Sequence, residues 1–192
     1  MERLKVDIER CLGGVAGDRS LTSDHLEGLR PRLEQSLETV LQAAGTGMLG
    51  FLRLPQEDPS PLIEFAQRTQ GRYDALLVIG IGGSALGTTA LATALLPFYY
   101  NESTSEERKG RPRLYVLDNV DPDETQALLD RLDLKTTLVN VISKSGTTGE
   151  SMAGYLVVRE RLERLVGEER LKDHFVFTTD PVKGTLREIG SE

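Results

Sequence analysis

The chain has 192 residues, 39% hydrophobic and 28% charged, which is typical of a globular protein with one domain, or one domain with an N-terminal appendage. Its net charge of −7 argues against general nucleic-acid binding, because that function needs a concentrated basic face. Since the sequence has no apolar run long enough to span a membrane and no features of a signal peptide in its first 30 residues, we expect a cytoplasmic protein that does not bind membranes.

The first 71 residues are predicted to form a helical appendage and linker. Residues 1–43 alternate apolar and charged residues at helical spacing, and Thr22 to Asp24 are suited to cap a helix. That helix carries a leucine stripe typical of a packing face, formed by Leu26, Leu29, Leu33, Leu37 and Leu41. Residues 45–61 contain three glycines and three prolines and predict a loop, followed by a short helix over residues 62–70. The lone Cys11 cannot form an internal disulfide or a cysteine metal cluster, and we interpret it as a structural or incidental surface thiol.

Residues 72–192 are predicted to form the main domain, an α/β fold. Strand-like runs at residues 75–79, 114–117, 137–142 and 175–178 alternate with helix-like runs at residues 85–96, 123–132 and 150–166. This alternation predicts a three-layer α/β/α sandwich with a central parallel sheet, of the flavodoxin-like kind. The polar stretch 101–113 is interpreted as a solvated loop. Ligands of such folds bind at the carboxyl ends of the strands, where the strand-to-helix turns lie.

The turn after the first strand lies in residues 78–87 (VIGIGGSALG). It matches two known phosphate-binding motifs, the dinucleotide fingerprint and the P-loop, only in part. Gly80, Gly82 and Ala85 have the spacing of the dinucleotide fingerprint, but the acidic residue that should follow the next strand, Asp118, comes only after a long polar insertion. The P-loop spacing is also present, but Thr88 stands where that motif needs a lysine. A nucleotide-binding oxidoreductase domain therefore stays open as an alternative.

Two interpretations of this first turn remain. Gly83 and Ser84 lie at a helix start, where unpaired backbone amides and the helix dipole favour an anion, and Gly83 has no side chain to obstruct a ligand. Alternatively, the glycines only allow the helix to pack closely on the strand.

The turn after the third strand, in residues 141–151 (VISKSGTTGES), is richer in hydrogen-bond donors. Its hydroxyls and its cation belong to Ser143, Lys144, Ser145, Thr147 and Thr148. A phosphate monoester offers several acceptor oxygens and binds where such donors converge at a helix start. The alternative is helix capping, in which Glu150 completes a capping box with Thr147. Since four hydroxyls exceed what capping needs, the pattern favours a phosphate site, while Lys144 could equally be a surface charge or pair with an acidic neighbour.

These two turns together resemble the paired signatures of the phosphoglucose isomerase family, within the sugar isomerase (SIS) domain superfamily. Shorter segments resemble it in the same order: GMLGFLRLP at residues 47–55, DNVDP at residues 118–122 and TTDPVKGTLRE at residues 178–188. The resemblance implies an SIS-type domain and an aldose-ketose isomerase of glycolysis and gluconeogenesis that interconverts glucose 6-phosphate and fructose 6-phosphate through an enediol or enediolate. It also implies a homodimer, and we expect no cofactor and no metal.

The same resemblance implies roles for individual residues. Ser143, Ser145, Thr147 and Thr148 should hold the sugar phosphate, Gly83 and Ser84 should line the sugar, and Lys144 should lie beside them. The family's catalytic glutamate, histidine and lysine belong to a second, similar domain whose motifs do not occur in this sequence. We therefore expect no catalytic residue here and interpret the chain as the N-terminal part of the isomerase, inactive alone. A non-catalytic SIS-domain sensor of phosphosugars is the alternative.

Overall fold

The computed structural model describes residues 7–15, 17–46 and 49–191. The chain divides into two compact units between Ser60 and Pro61. This division precedes the predicted boundary after residue 71, so helix α2 (Ser60–Thr69), predicted as part of the appendage, lies almost entirely in the second unit. Within the described residues, no helix is long and apolar enough to cross a membrane.

The first unit is built around the long helix α1 (Ser23–Gly45), as the leucine spacing predicts. Thr22 is its N-cap and forms a capping box with His25, whose amide donates to Thr22 Oγ1 at 3.2 Å. The leucine stripe is largely exposed, with Leu33 62% accessible.

The prediction of helical structure before residue 22 is wrong for the described residues. They form two 3₁₀ turns, Glu9–Cys11 and Gly17–Arg19, and Cys11 is exposed. The physical reason is the backbone between the turns, where Gly13 and Gly14 have φ angles of 65° and 81°, outside the helical region. The predicted loop after α1 contains a further 3₁₀ helix, Gly50–Gln56, whereas residues 47 and 48 of that loop lie outside the described residues.

The second unit contains a four-stranded parallel sheet, as predicted. Its strands are β1 (Ala75–Ile79), β2 (Arg113–Leu117), β3 (Thr137–Ser143) and β4 (Phe175–Thr179). They are arranged in the order β2-β1-β3-β4, and Ile79 pairs with Leu117 on one side and with Val141 on the other. The helices that follow the strands are α3 (Gly83–Leu95), α4 (Pro122–Arg131), α5 (Gly149–Val166) and α6 (Thr185–Ile189).

The helices cover the sheet in the manner of a doubly wound fold. Because parallel crossovers are right-handed and the chain moves in opposite directions from β1 and from β3, α3 covers one face while α4 and α5 cover the other. The main core accordingly joins β1 and β3 to Leu129 of α4, Val158 of α5 and Leu186 of α6. Gly154 allows α5 to approach the sheet closely, since a Cβ there would lie 2.9 Å from Ile79 Cγ2.

The segment before β2, predicted as a solvated loop, is ordered by side chains that bond to the backbone. The amide group of Asn101 donates to the Leu114 carbonyl at 2.6 Å and accepts from the Leu114 amide at 2.8 Å. Arg108 is buried, at 8% exposure, and donates through Nε to the Arg111 carbonyl. Strand β2 lies at the edge of the sheet, so the Asn101 side chain bonds backbone groups that a neighbouring strand would otherwise bond.

Replacing Asn101 with alanine is expected to destabilise the second unit by about 1–3 kcal/mol, because the half-buried amide and carbonyl of Leu114 lose their partners. Chemical denaturation of the purified chain measures this loss. As a control, Asn119→Ala removes an exposed side chain that accepts from Val120 N, and should cost roughly 0.5 kcal/mol or less. Equal losses for the two variants would contradict the role of Asn101 at the edge of β2.

Candidate functional site

The two glycine- and hydroxyl-rich turns follow the two central strands of the sheet. Strands β1 and β3 are neighbours, but the chain leaves β1 toward β2 and leaves β3 toward β4. The carboxyl ends of β1 and β3 therefore flank the topological switch point, where folds of this kind bind ligands. The β1–α3 turn and the β3–α5 loop lie at the carboxyl ends of their strands, as the sequence predicts, and the order of the strands places both at the switch point.

The β1–α3 turn is closely packed on one side and open on the other. Gly80 donates its amide to the Leu117 carbonyl at 3.2 Å, and a Cβ at Gly80 would lie 3.0 Å from Ser84 Cβ. Gly82 is the N-cap of α3 with φ 55° and ψ −120°, a conformation that favours glycine. Gly83 is exposed, with no atom within 4 Å of the position that its Cβ would occupy. The turn is therefore compatible with both close helix packing and anion binding. Gly80 allows the helix to pack closely on the strand, and Gly83 leaves the start of the helix accessible.

Hydrogen bonding at the start of α3 leaves donors available. The bonds of the first turn begin with the Ser84 amide, which donates to the Ile81 carbonyl at 3.1 Å. Within the described residues, the amides of Gly82 and Gly83 have no acceptor, and the half-buried Ser84 hydroxyl has no partner. These groups can donate to an anion at the helix start.

The β3–α5 loop brings its four hydroxyls into one hydrogen-bonded chain. Ser143 ends β3, is only 1% exposed, and has Oγ 3.0 Å from Thr148 Oγ1. Ser145 Oγ lies 3.5 Å from Thr148 Oγ1 and accepts from the Thr147 hydroxyl at 3.2 Å. The Thr147 amide also donates to Ser145 Oγ, at 3.2 Å. The hydroxyls are therefore held together at the start of α5.

Helix capping does not account for these hydroxyls. Thr148 is the N-cap of α5, but its side chain makes no capping hydrogen bond, and the capping box between Thr147 and Glu150 is absent. The first helical bond is that of the Met152 amide to the Thr148 carbonyl, at 3.0 Å. The preceding amides, from Gly149 to Ser151, have no acceptor among the described residues and remain free for an anion.

Lys144 directly follows β3 and is exposed. Pairing with an acidic neighbour was one interpretation of this residue, but no carboxylate forms an ion pair with it in the described part of the chain. Lys144 is thus an exposed lysine without an ion-pair partner among the described residues, next in the chain to Ser143 and Ser145.

The two histidines have structural contacts elsewhere in the described residues. His25 caps α1 in the first unit. His174 is buried and its Nδ1 lies 2.9 Å from the carbonyl of Thr137, which begins β3, whereas the hydroxyl cluster follows the end of that strand. The described residues also contain no cluster of three or more His, Cys, Asp or Glu that could hold a metal ion.

Three features near the hydroxyl cluster were given no role from the sequence, although Ser151 lies in the segment 141–151, and Thr179 and Asp180 lie in the segment 178–188. Ser151, in the first turn of α5, is 1% exposed, and its Oγ has no hydrogen-bond partner within the described residues. The buried Oγ1 of Thr179, at the end of β4, also has none. Asp180 follows Thr179 and accepts from the amides of Val182 and Lys183, which lowers the pKa of its carboxyl group. The hydroxyls of Ser151 and Thr179 lie outside the segment SKSGTT, residues 143–148, from which the phosphate site was predicted.

Comparison with known proteins shows the family to which the chain belongs. The model of the phosphoglucose isomerase family matches residues 64–190. The chain belongs to the phosphoglucose isomerase family. It is 36% identical over 192 residues to a glucose-6-phosphate isomerase of Carboxydothermus hydrogenoformans, with 98% of this chain and 41% of that protein covered. A glucose-6-phosphate isomerase of Rubrobacter xylanophilus is 39% identical over 173 residues, with 88% and 38% covered. The chain thus spans about two fifths of the length of these curated relatives.

Solved structures are similar in fold as well as in sequence. The crystal structure of a hypothetical protein from Thermus thermophilus matches with a TM-score of 0.70 and 34% identity, over 88% of this chain and 38% of that one. A glucose-6-phosphate isomerase from Chlamydia trachomatis matches with a TM-score of 0.51 and 31% identity, over 62% of this chain and 21% of that one. The α/β fold is thus shared with a phosphoglucose isomerase relative of known structure.

The shorter segments that resemble the phosphoglucose isomerase family surround the same edge of the sheet or lie in the first unit. DNVDP follows β2, where Asp121 caps α4 by accepting from the amides of Asp123 and Glu124. TTDPVKGTLRE runs from the end of β4 into α6. GMLGFLRLP lies in the first unit, and its described part begins at Leu49.

Proposed function

We propose that this chain supplies the sugar-phosphate-binding loops of a glucose-6-phosphate isomerase. In this proposal the phosphate group is held by the hydroxyls of Ser143, Ser145, Thr147 and Thr148 together with the free amides at the start of α5. Gly83 and Ser84 line the sugar from the neighbouring strand end, and the Lys144 ammonium group offsets part of the phosphate charge. The observation that carries the proposal is the chain of hydroxyls that lies at a helix start without capping it.

The parent reaction requires more than these loops. Interconverting glucose 6-phosphate and fructose 6-phosphate moves a proton between adjacent carbons through an enediolate, which needs a positioned base and a positive group near the developing charge. Glu150 is a carboxylate beside the hydroxyl cluster, but it lies in the first turn of α5, where the helix dipole already favours a negative charge. We therefore propose that this chain binds the phosphosugar and that catalytic groups, as well as dimerisation, belong to the full-length enzyme.

Amide NMR titration of the purified chain with fructose 6-phosphate tests binding. We expect shifts confined to Gly83, Ser84 and residues 143–149, because these residues carry the proposed donors. Unphosphorylated fructose should leave these signals unchanged, since it lacks the phosphate, and so should NAD. Shifts of Gly80 to Ala85 with NAD alone would instead support the nucleotide-binding alternative and contradict the proposal.

An isomerisation assay tests the second part of the proposal. The purified chain should not convert fructose 6-phosphate to glucose 6-phosphate at a rate above that of a protein-free control. Measurable turnover would show that catalytic residues are present in this chain.

A further inference from the structure

The loop between β4 and α6, residues 180–184, packs directly against the loop that carries the hydroxyls. Gly184 has φ 103°, and a Cβ added there would lie 2.4 Å from the Ser145 carbonyl oxygen and 3.3 Å from Gly146 Cα. Backbone therefore meets backbone at this point, and a side chain at Gly184 cannot be accommodated by a change of rotamer. The two loops can approach this closely only because residue 184 is a glycine.

Gly146, in the loop that carries the hydroxyls, packs just as closely against the β4–α6 loop. Gly146 has φ 68°, and a Cβ there would lie 3.0 Å from Thr179 Oγ1, 3.3 Å from Gly184 Cα and 3.3 Å from the Leu186 amide nitrogen. The Gly146 carbonyl accepts from the Leu186 amide at 3.2 Å, and its own amide donates to the Ser143 carbonyl at 3.1 Å. Gly146 is thus fixed between the end of β3 and the start of α6.

The β4–α6 loop is itself anchored to the core. Leu186 is fully buried and belongs to the main core cluster. At the other end of the loop, Asp180 accepts from the amides of Val182 at 2.8 Å and Lys183 at 3.1 Å, which holds the turn that leads to Gly184. The backbone between Ser143 and Thr148 is therefore supported by a segment with a defined conformation.

We propose that Gly184 is a positioning residue for phosphate binding, which acts by setting the backbone of Ser145 and Gly146. The Ser145 hydroxyl bonds both Thr147 and Thr148, so a displacement of the Ser145 backbone separates the hydroxyls that must converge on the phosphate. Gly184 itself need not contact the ligand. This inference rests on the proposed function of the hydroxyl cluster.

The positioning role is tested by comparing Gly184→Ala with alanine substitutions at two glycines that do not contact the hydroxyl loop. Gly167→Ala introduces the same kind of backbone strain, since Gly167 has φ 82°, but nothing lies within 4 Å of its Cβ position. Gly190→Ala adds a methyl group near Phe177 in the same β4–α6 region without touching the hydroxyl loop. For each variant, the affinity for fructose 6-phosphate is measured by NMR titration and the midpoint of thermal unfolding by circular dichroism.

Gly184→Ala is expected to raise the Kd for fructose 6-phosphate about tenfold or more, because several hydrogen bonds to the charged phosphate lose their geometry together. In the unliganded variant, amide signals of Ser145 to Gly149 should shift, while those near the end of α5 stay in place. The two control variants should bind within about twofold of the original chain even where they unfold at lower temperature. The reason is that backbone strain at Gly167 and crowding against Phe177 at Gly190 act away from the hydroxyl loop.

A milder variant keeps the test informative if Gly184→Ala fails to fold. Asp180→Ala removes the acceptor of the Val182 and Lys183 amides at the surface and should raise the Kd by about threefold. Unchanged affinity in the folded Gly184→Ala or Asp180→Ala variant, with the original chain binding, overturns the positioning role alone. Absence of binding by the original chain overturns the proposed function and the positioning role with it.

Discussion

Valine in place of Thr148 is expected to weaken the binding of fructose 6-phosphate by roughly 10- to 100-fold. It should also cost about 1–3 kcal/mol of stability, because the buried Ser143 hydroxyl loses its partner. Thr148 Oγ1 is the point at which the hydroxyls of Ser143 and Ser145 meet, and it makes no capping bond that the helix would lose. Valine keeps the shape of threonine, so the change removes a donor to the phosphate without opening a cavity. NMR or calorimetric titration of the purified variant measures the affinity.

The matched control for this substitution is Thr125→Val. Thr125 also lies near the start of a helix, where its hydroxyl donates to the Asp121 carbonyl at 2.7 Å, but it belongs to α4 and not to the hydroxyl cluster. Binding by this variant should match that of the original chain. If Thr148→Val and Thr125→Val bind equally well, Thr148 does not hold the phosphate.

Alanine in place of Leu162 is expected to lower the free energy of unfolding by about 2–5 kcal/mol, because it leaves a cavity in the core as well as removing apolar contacts. Leu162 is completely buried on the sheet-facing side of α5, in the core that also contains Val139, Val141 and Val158. Since small domains are stable by only about 5–15 kcal/mol, this loss is a large share of the total. Urea denaturation followed by circular dichroism measures it.

Leu156→Ala is the control on the same helix. Leu156 is 55% exposed, so its truncation should cost roughly 0.5 kcal/mol or less. Because Leu162 lies well along α5 from the hydroxyl cluster, folded Leu162→Ala is expected to retain the affinity for fructose 6-phosphate. A similar loss of stability in the two variants would mean that α5 does not pack on the sheet as described.

The regular elements of the second unit could be predicted from the sequence because their signals are local. Strand β1 runs from Ala75 to Ile79 as predicted, and the hydroxyl-rich turn begins where β3 ends, at Ser143. In both cases a β-branched apolar run stops at small or hydroxylated residues, and that pattern is sufficient to locate a strand end and the helix that follows. The helical prediction was wrong for the described residues before α1, because glycines with positive φ interrupt the helical backbone there.

Contacts between distant segments could not be predicted in this way. Asn101 bonds the free edge of β2 at Leu114, and this bond orders a stretch whose composition indicates only a solvated loop. The buried hydroxyls of Ser151 and Thr179 likewise give no sign in the sequence, because their burial depends on neighbours from other strands and helices.

The sequence by itself determined the α/β class, the strand ends to within one residue and the residues of the two turns. Each follows from hydrophobic period and from the backbone preferences of glycine, serine and threonine. Only the tertiary structure decided that β1 lies beside β3, that the hydroxyls bond one another instead of capping α5, and that Gly184 packs beneath Ser145. The physical reason is that these features depend on the order of the strands and on close backbone contacts between segments far apart along the chain. Local periodicity specifies which faces are buried, but it does not specify which segments those faces meet.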